Sequence, residues 1–98
     1  MKISVIIPVK DEQDNVLELY NQLNPVLSKI GKHEIIFIDD GSTDKTANKI
    51  KEIKDKSVRL VQFQRNFGKA AALSCGFKEA KGDIIVTMDG DLQDDPKE

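Results

Sequence analysis

A single cysteine, Cys75, among 98 residues leaves no partner for an internal disulfide, and no Cys/His spacing of the metal-binding type occurs. That composition suits a reducing compartment such as the cytoplasm. No apolar run approaches the ~18 residues of a membrane span. Residues 3–9 are too short for the apolar region of a signal peptide and are followed at once by charges. An excess of one charge is lacking too: 15 basic and 17 acidic residues are interspersed, with a formal net charge of −2. Nothing therefore pulls the whole chain toward nucleic acid or an anionic membrane. Neither a GxGxxG loop nor a GxxxxGK loop followed by Ser or Thr is present, which argues against dinucleotide oxidoreductases and P-loop NTPases. Repeats, linkers and low-complexity tracts are absent as well. What remains is at most one small globular domain, with 39% hydrophobic and 33% charged residues.

What is present is an alternation of short apolar runs and helical periods. Residues 3–8 (Ile3-Ser4-Val5-Ile6-Ile7-Pro8) read as a strand buried on both faces, with Pro8 ending it because proline cannot donate to the ladder. Val16, Leu19, Tyr20, Leu23, Val26, Leu27 and Ile30 recur at helical spacing. Pro25 is expected to kink or restart that helix, with Asn24 as a new cap, and Gly31 to close it. Residues 34–38 form a second strand running into Asp39-Asp40-Gly41. Ser42 or Thr43 then caps a helix that turns Ala47, Ile50 and Ile53 inward. Residues 58–63 make a third strand. Residues 69–80 make a third helix, apolar around most of its girth and expected to be well buried, with Cys75 an inert buried thiol. Residues 83–88 make a fourth strand, apolar enough to read as buried.

Such alternation with short loops implies βαβ units with right-handed crossovers. The expected fold class is α/β: a Rossmann-like parallel sheet of order 3-2-1-4 with helices on both faces. Ligands bind at the carboxyl ends of such strands. There the order would gather Asp11, Asp39, Asp40, Asp89 and Asp91 around one crevice. Like charges packed together cost energy unless a cation or proton intervenes. Asp89 and Asp91 are two apart, so extended backbone points both to one side. Hard oxygen ligands of that kind suit Mg²⁺ or Mn²⁺. The plainer reading of Asp89-Gly90-Asp91 is a solvated acidic loop after a strand.

Two further segments carry chemistry. In Asp39-Asp40-Gly41-Ser42-Thr43-Asp44, turn and cap roles account for Gly41 to Asp44. They do not account for acids finishing a buried strand, so Asp39 is the functional candidate, able to accept from a base N–H or a ribose hydroxyl. Arg65-Asn66-Phe67-Gly68-Lys69 leads into a helix amino-terminus, where a phosphate site and an ordinary basic surface loop are both open readings.

Together these segments resemble the family 2 glycosyltransferases of GT-A fold. The matching pieces are Val5-Ile6-Ile7-Pro8-Val9-Lys10-Asp11-Glu12, Ile38-Asp39-Asp40-Gly41-Ser42-Thr43-Asp44, Asn66-Phe67-Gly68-Lys69-Ala70-Ala71-Ala72 and Met88-Asp89-Gly90-Asp91-Leu92-Gln93-Asp94-Asp95-Pro96. The last looks especially like the polyprenyl-phosphate branch, which includes dolichol-phosphate mannosyltransferase and bacterial undecaprenyl-phosphate glycosyltransferases. The resemblance implies a DxD motif in which Asp89 and Asp91 hold the metal, with Gln93 a further metal-shell candidate and Asp91 catalytic through that metal. It implies that Pro8, Val9, Glu12, Asp39, Lys69 and Asp89 line the nucleotide. Many relatives carry an aromatic or Tyr-Asn pair after Pro8, where this chain has Val9-Lys10-Asp11. The implied activity is inverting, metal-dependent transfer of a sugar from a UDP- or GDP-sugar to a polyprenyl phosphate at the cytoplasmic face of a membrane. A lipid phosphate is already anionic and needs no general base.

Pro96 reads as the first residue of a helix. With only two residues after it, the chain is expected to be the amino-terminal, nucleotide-sugar-binding part of a longer glycosyltransferase, inactive in transfer by itself. Apolar surface left on its fourth strand would invite self-association. Two other classes share features. A receiver-like signalling domain also sets acids around Mg²⁺, but a further strand ending in Lys is missing. A nucleotidyltransferase would show a Gly-rich basic loop where Lys10-Asp11-Glu12 stands.

Overall fold

Continuous apolar runs can be buried only where both faces of a sheet are covered, and the two central strands are used in that way. Val5, Ile6 and Ile7 of one run and Ile35, Ile36, Phe37 and Ile38 of the next are almost completely excluded from solvent. The computed structural model describes residues 1–89. Their order is β1 (Ile3–Val9), α1 (Val16–Ile30), β2 (His33–Asp39), α2 (Thr46–Lys51), β3 (Val58–Gln62), α3 (Lys69–Glu79) and β4 (Ile84–Thr87). The four strands pair in parallel in the order β3-β2-β1-β4, as the alternation of elements predicts. Val16, Leu19, Leu23 and Leu27 of α1, with Ile50 of α2, cover one face over Val5, Ile7, Ile35 and Phe37. Ala72 of α3 packs on the other, over Ile6, Ile36 and Ile38.

Proline placement departs from expectation at Pro8, and at Pro25 as regards a restart. Pro8 does not end β1; it stays in the strand opposite Ile38. Val9 accepts a hydrogen bond from Asp40 N–H on the β2 side, whereas Ile6 accepts from Met88 N–H on the β4 side. By alternation Pro8 turns its missing donor toward β4, whose pairing with β1 stops at Ile6–Thr87. The lost rung lies where the ladder has already ended. Pro25 likewise does not restart α1, which runs unbroken from Val16 to Ile30. Both Pro25 and Asn21, whose carbonyl loses its partner, are exposed, so water can take the vacated bond. Gly31 closes the helix at φ 134°, donating its N–H to the Leu27 carbonyl.

The second half of the chain is more open than its apolar content suggests. Only Ala72 and Gly76 of α3 are buried, Phe77 is 51% exposed, and Cys75 is half-buried rather than enclosed. Gly76 shows why the contact is a narrow strip: a Cβ there would overlap the Cγ2 of Ile6, so helix and sheet touch backbone to side chain. That strip lies over β1 and β2, and β4 is an edge strand that the described residues cover only in part. The expectation of a buried fourth strand is therefore corrected: Ile84, Ile85 and Val86 are 40–44% exposed. That is the apolar surface expected to invite self-association.

The amino-terminal edge of the sheet, away from the acidic loops, is held by one buried carboxylate. Glu34 accepts from Ser4 Oγ at 2.6 Å, Lys81 N–H at 2.7 Å and Arg59 Nη1 at 3.0 Å, while Ser4 Oγ accepts from Gly82 N–H. Burial would raise the Glu34 pKa, but the Ser4, Lys81 and Arg59 hydrogen bonds outweigh it and hold the group below its usual value. A depressed folded pKa contributes stability above the unfolded carboxylate range, and that stability is lost as pH falls through the folded value. Glu34→Gln is expected to cost about 2 kcal/mol at pH 7 and to flatten the decline of stability in acid. Urea unfolding of both proteins across the acid range measures this; identical pH slopes would contradict it.

Candidate functional site

The site is built from three loops that follow the carboxyl ends of β1, β2 and β3. The β1–α1 loop (residues 10–15) and the β2–α2 loop (residues 40–45) are laced together. Asp11 takes φ 52°, a left-handed conformation in which Asp is among the better-tolerated side chains. Its N–H donates to Ser42 Oγ at 2.9 Å, and its Oδ1 accepts from Thr43 N–H at 2.7 Å and Asp44 N–H at 3.3 Å. Glu12 N–H donates to Thr46 Oγ1, Gln13 N–H to Asp44, and Lys45 N–H to Gln13 Oε1. Contrary to the expectation from sequence, neither Ser42 nor Thr43 caps α2. The helix starts later, at Thr46, whose N–H and hydroxyl both bond to Asp44 Oδ1. Ser42 and Thr43 are instead committed to Asp11 across the gap.

The third loop is clamped to the second. Asp40 Oδ1 accepts from Phe67 N–H at 2.7 Å, and Oδ2 accepts from Gly68 N–H at 3.0 Å. Those are donors at the start of α3, where a phosphate reading places an anion. A carboxylate of the chain itself, Asp40, satisfies them. Gly41 (φ 72°) lies beneath this loop, and a Cβ there would collide with the backbone of Arg65 and Asn66. Arg65 stacks its guanidinium on the Phe67 ring.

Asp39 stands between the two clamps and is treated differently. It is 1% exposed, pinned by its carbonyl accepting from Phe63 N–H, and opposite Val9 in the β1–β2 register. Its Oδ1 accepts from Ser42 N–H at 3.0 Å. Its Oδ2 is buried and has no hydrogen-bond partner among the described residues. Buried carboxylate oxygens are nearly always satisfied, and leaving one bare is costly. An acceptor held in place with no donor among the described residues has the chemistry to accept from a ligand.

A second locus lies where α3 meets the end of β4. Lys69, the first residue of α3, forms an ion pair with Asp89. Together with Leu73, Thr87 and Met88 they line one open cleft. Asp89 offers a hard oxygen ligand at the end of a strand, which fits a divalent cation held jointly with substrate phosphates. Asp91 and Gln93 lie outside the described residues. Among the described residues no three Asp, Glu, His or Cys side chains group as a metal site.

The sequence-derived candidates thus fall into two sets. Pro8, Val9, Glu12 and Asp39 meet at the ends of β1 and β2, and Lys69 and Asp89 at α3 and β4. Asp40 joins the sets, because the residues it clamps immediately precede Lys69. The sequence reading missed that Asp11, Asp40 and Asp44 serve as acceptors for loop N–H groups. The available signal was Asp beside Gly, Ser and Thr in turns, where its side chain competes for backbone donors.

Along nearly its whole length the chain is similar to known proteins. An undecaprenyl-phosphate 4-deoxy-4-formamido-L-arabinose transferase of Edwardsiella ictaluri is 39% identical over 100 residues, covering 98% of this chain and 31% of that protein. The protein of the same name from Klebsiella pneumoniae is 40% identical over 101 residues, covering 99% and 31%. The chain thus spans about a third of the length of these relatives. Among solved structures, a mannosyltransferase from Pyrobaculum calidifontis in complex with GDP-Man and Mn²⁺ superposes with a TM-score of 0.83 at 28% identity, covering 91% of this chain and 27% of that one. Glucosyl-3-phosphoglycerate synthase from Mycobacterium tuberculosis in complex with UDP gives 0.76 at 26%, covering 93% and 34%. Glycosyl transferase family 2 matches residues 4–98, nearly the whole chain, and the chain belongs to that family.

Proposed function

We propose that the chain forms the donor-binding part of an inverting glycosyltransferase that moves a sugar from a nucleoside-diphosphate sugar to a polyprenyl phosphate. The observation that carries this reading is the buried Oδ2 of Asp39 at the carboxyl end of β2, which has no partner among the described residues. A nucleobase N–H is the donor it suits, and the Val9–Asp39 register makes the end of β1 the adjacent wall. Lys69 lies on the diphosphate side of the pocket, next to Asp89. Asp89 and Asp91, with Gln93 nearby in sequence, would hold Mg²⁺ or Mn²⁺. A divalent cation bound there supplies charge stabilisation to the departing nucleoside diphosphate. Lys69 can exchange its ion pair with Asp89 for the diphosphate, keeping both charges compensated.

The lipid acceptor is supported by the names of the sequence relatives, which act on undecaprenyl phosphate. Such an acceptor places the enzyme at the cytoplasmic face of a membrane. Among the described residues no helix is long and apolar enough to cross one. Calorimetric titration with UDP and with GDP, in Mn²⁺ and then in EDTA, tests the reading. One of the nucleotides is expected to bind in Mn²⁺, and EDTA to abolish most of the affinity. Failure of both to bind in Mn²⁺ would overturn the donor site, while equal affinity in EDTA would remove the metal from it.

A further inference from the structure

We infer that Asp11 is a positioning residue for nucleotide binding: it holds the β2–α2 loop in the one arrangement that leaves Asp39 Oδ2 bare. The inference rests on the donor-site reading above and goes beyond it, since Asp11 acts through the loop and not by touching ligand. The connection is continuous. Asp39 Oδ1 accepts from Ser42 N–H, Ser42 Oγ accepts from Asp11 N–H, and Asp11 Oδ1 accepts from Thr43 N–H, Thr43 Oγ1 and Asp44 N–H. Without the Asp11 carboxylate, Thr43 and Asp44 lose their cross-loop acceptor, and Ser42, which precedes them, is held across the gap by the Asp11 backbone N–H alone. The Ser42 N–H is then free to shift, and the Asp39 carboxylate can rotate and spend its spare oxygen within the protein. Two properties of Asp11 are required, a tolerated left-handed backbone at φ 52° and an acceptor oxygen at Oδ1. Asn supplies both, Gly only the first, Ala neither.

That ordering is the test. In the 98-residue chain with Mn²⁺, Asp11→Asn is expected to bind UDP or GDP within about twofold of the parent, whereas Asp11→Gly should bind about tenfold more weakly, the equivalent of one lost charge-assisted bond. Asp11→Ala should bind no better than Asp11→Gly. Amide exchange read at Thr43 and Asp44 should be faster in the Gly and Ala variants and unchanged in Asn. A merely structural role would lower the melting temperature and leave affinity intact well below it. Parent-like affinity of Asp11→Gly overturns the inference alone. So does a loss in Asp11→Asn as large as in Asp11→Gly, because the charge would then be touching ligand. Absence of binding by the parent chain overturns the donor-site reading, and this inference with it.

Discussion

Asp39→Asn is expected to lose nucleotide affinity without losing stability. Asn can keep an oxygen on Ser42 N–H, where Asp39 Oδ1 now lies at 3.0 Å. Its amide then presents N–H donors on the side where Oδ2 stands buried and unpartnered. A donor facing a base N–H cannot pair with it, so the charge-assisted bond is lost at a cost of about 1.5–3 kcal/mol, roughly 10- to 150-fold in affinity. Pyrophosphate carries no base, and its binding in Mn²⁺ should change by less than about twofold. Stability should move the other way. A carboxyl group with a bare oxygen in a 1%-exposed position is a desolvation cost borne by the folded chain. A neutral amide there relieves much of it, so the thermal midpoint should hold or rise, as expected when a residue serves binding at the expense of the fold. Calorimetry with UDP, GDP and pyrophosphate, beside thermal melts, measures both halves. An equal loss for pyrophosphate would move Asp39 from the base to the diphosphate.

Much of this was legible because the central strands are apolar on both faces. Runs such as Ile35-Ile36-Phe37-Ile38 permit only a covered parallel sheet, and the helical period from Val16 to Ile30 fills one side of it. Asp39 stood out for the complementary reason, since an acid that closes such a run is buried with it, here at 1% exposure. Burial of α3 and β4 was not. Apolar composition states what a surface would gain by being covered, and not whether a neighbour reaches it. Here α3 packs mainly on β1 and β2 and meets β4 only at its carboxyl end, so among the described residues Ile84, Ile85 and Val86 remain 40–44% exposed. Nor did spacing distinguish acids that await a cation from acids that satisfy backbone donors. Asp11, Asp39 and Asp40 all sit at strand ends. Only the positions of N–H groups from other loops, brought in by the fold, show that Asp40 and the Oδ1 of Asp11 are already engaged.

Asp40→Ala is expected to be the most damaging single change to the acidic edge, for reasons of structure rather than ligand contact. Both Asp40 oxygens accept backbone N–H groups, Phe67 at 2.7 Å and Gly68 at 3.0 Å, and the residue is 6% exposed. Gly68 N–H retains a second acceptor in Asn66 Oδ1, but Phe67 N–H has no other acceptor among the described residues. Losing one full charge-assisted bond and part of another should cost about 2–4 kcal/mol. That is a large share of the 5–15 kcal/mol available to an ordinary domain. The loss is not confined to stability. Residues 67–68 fix where α3 begins, and Lys69 at that point pairs with Asp89. A slack loop would let Lys69 drift from the acid proposed to hold the cation. Asp40→Asn offers one oxygen in place of two, so it should fall between Ala and the parent in urea midpoint. The Mn²⁺ concentration needed for nucleotide binding should follow the same order. A shift in the urea midpoint with no change in Mn²⁺ requirement would separate the clamp from the cation locus and confine Asp40 to holding the loop.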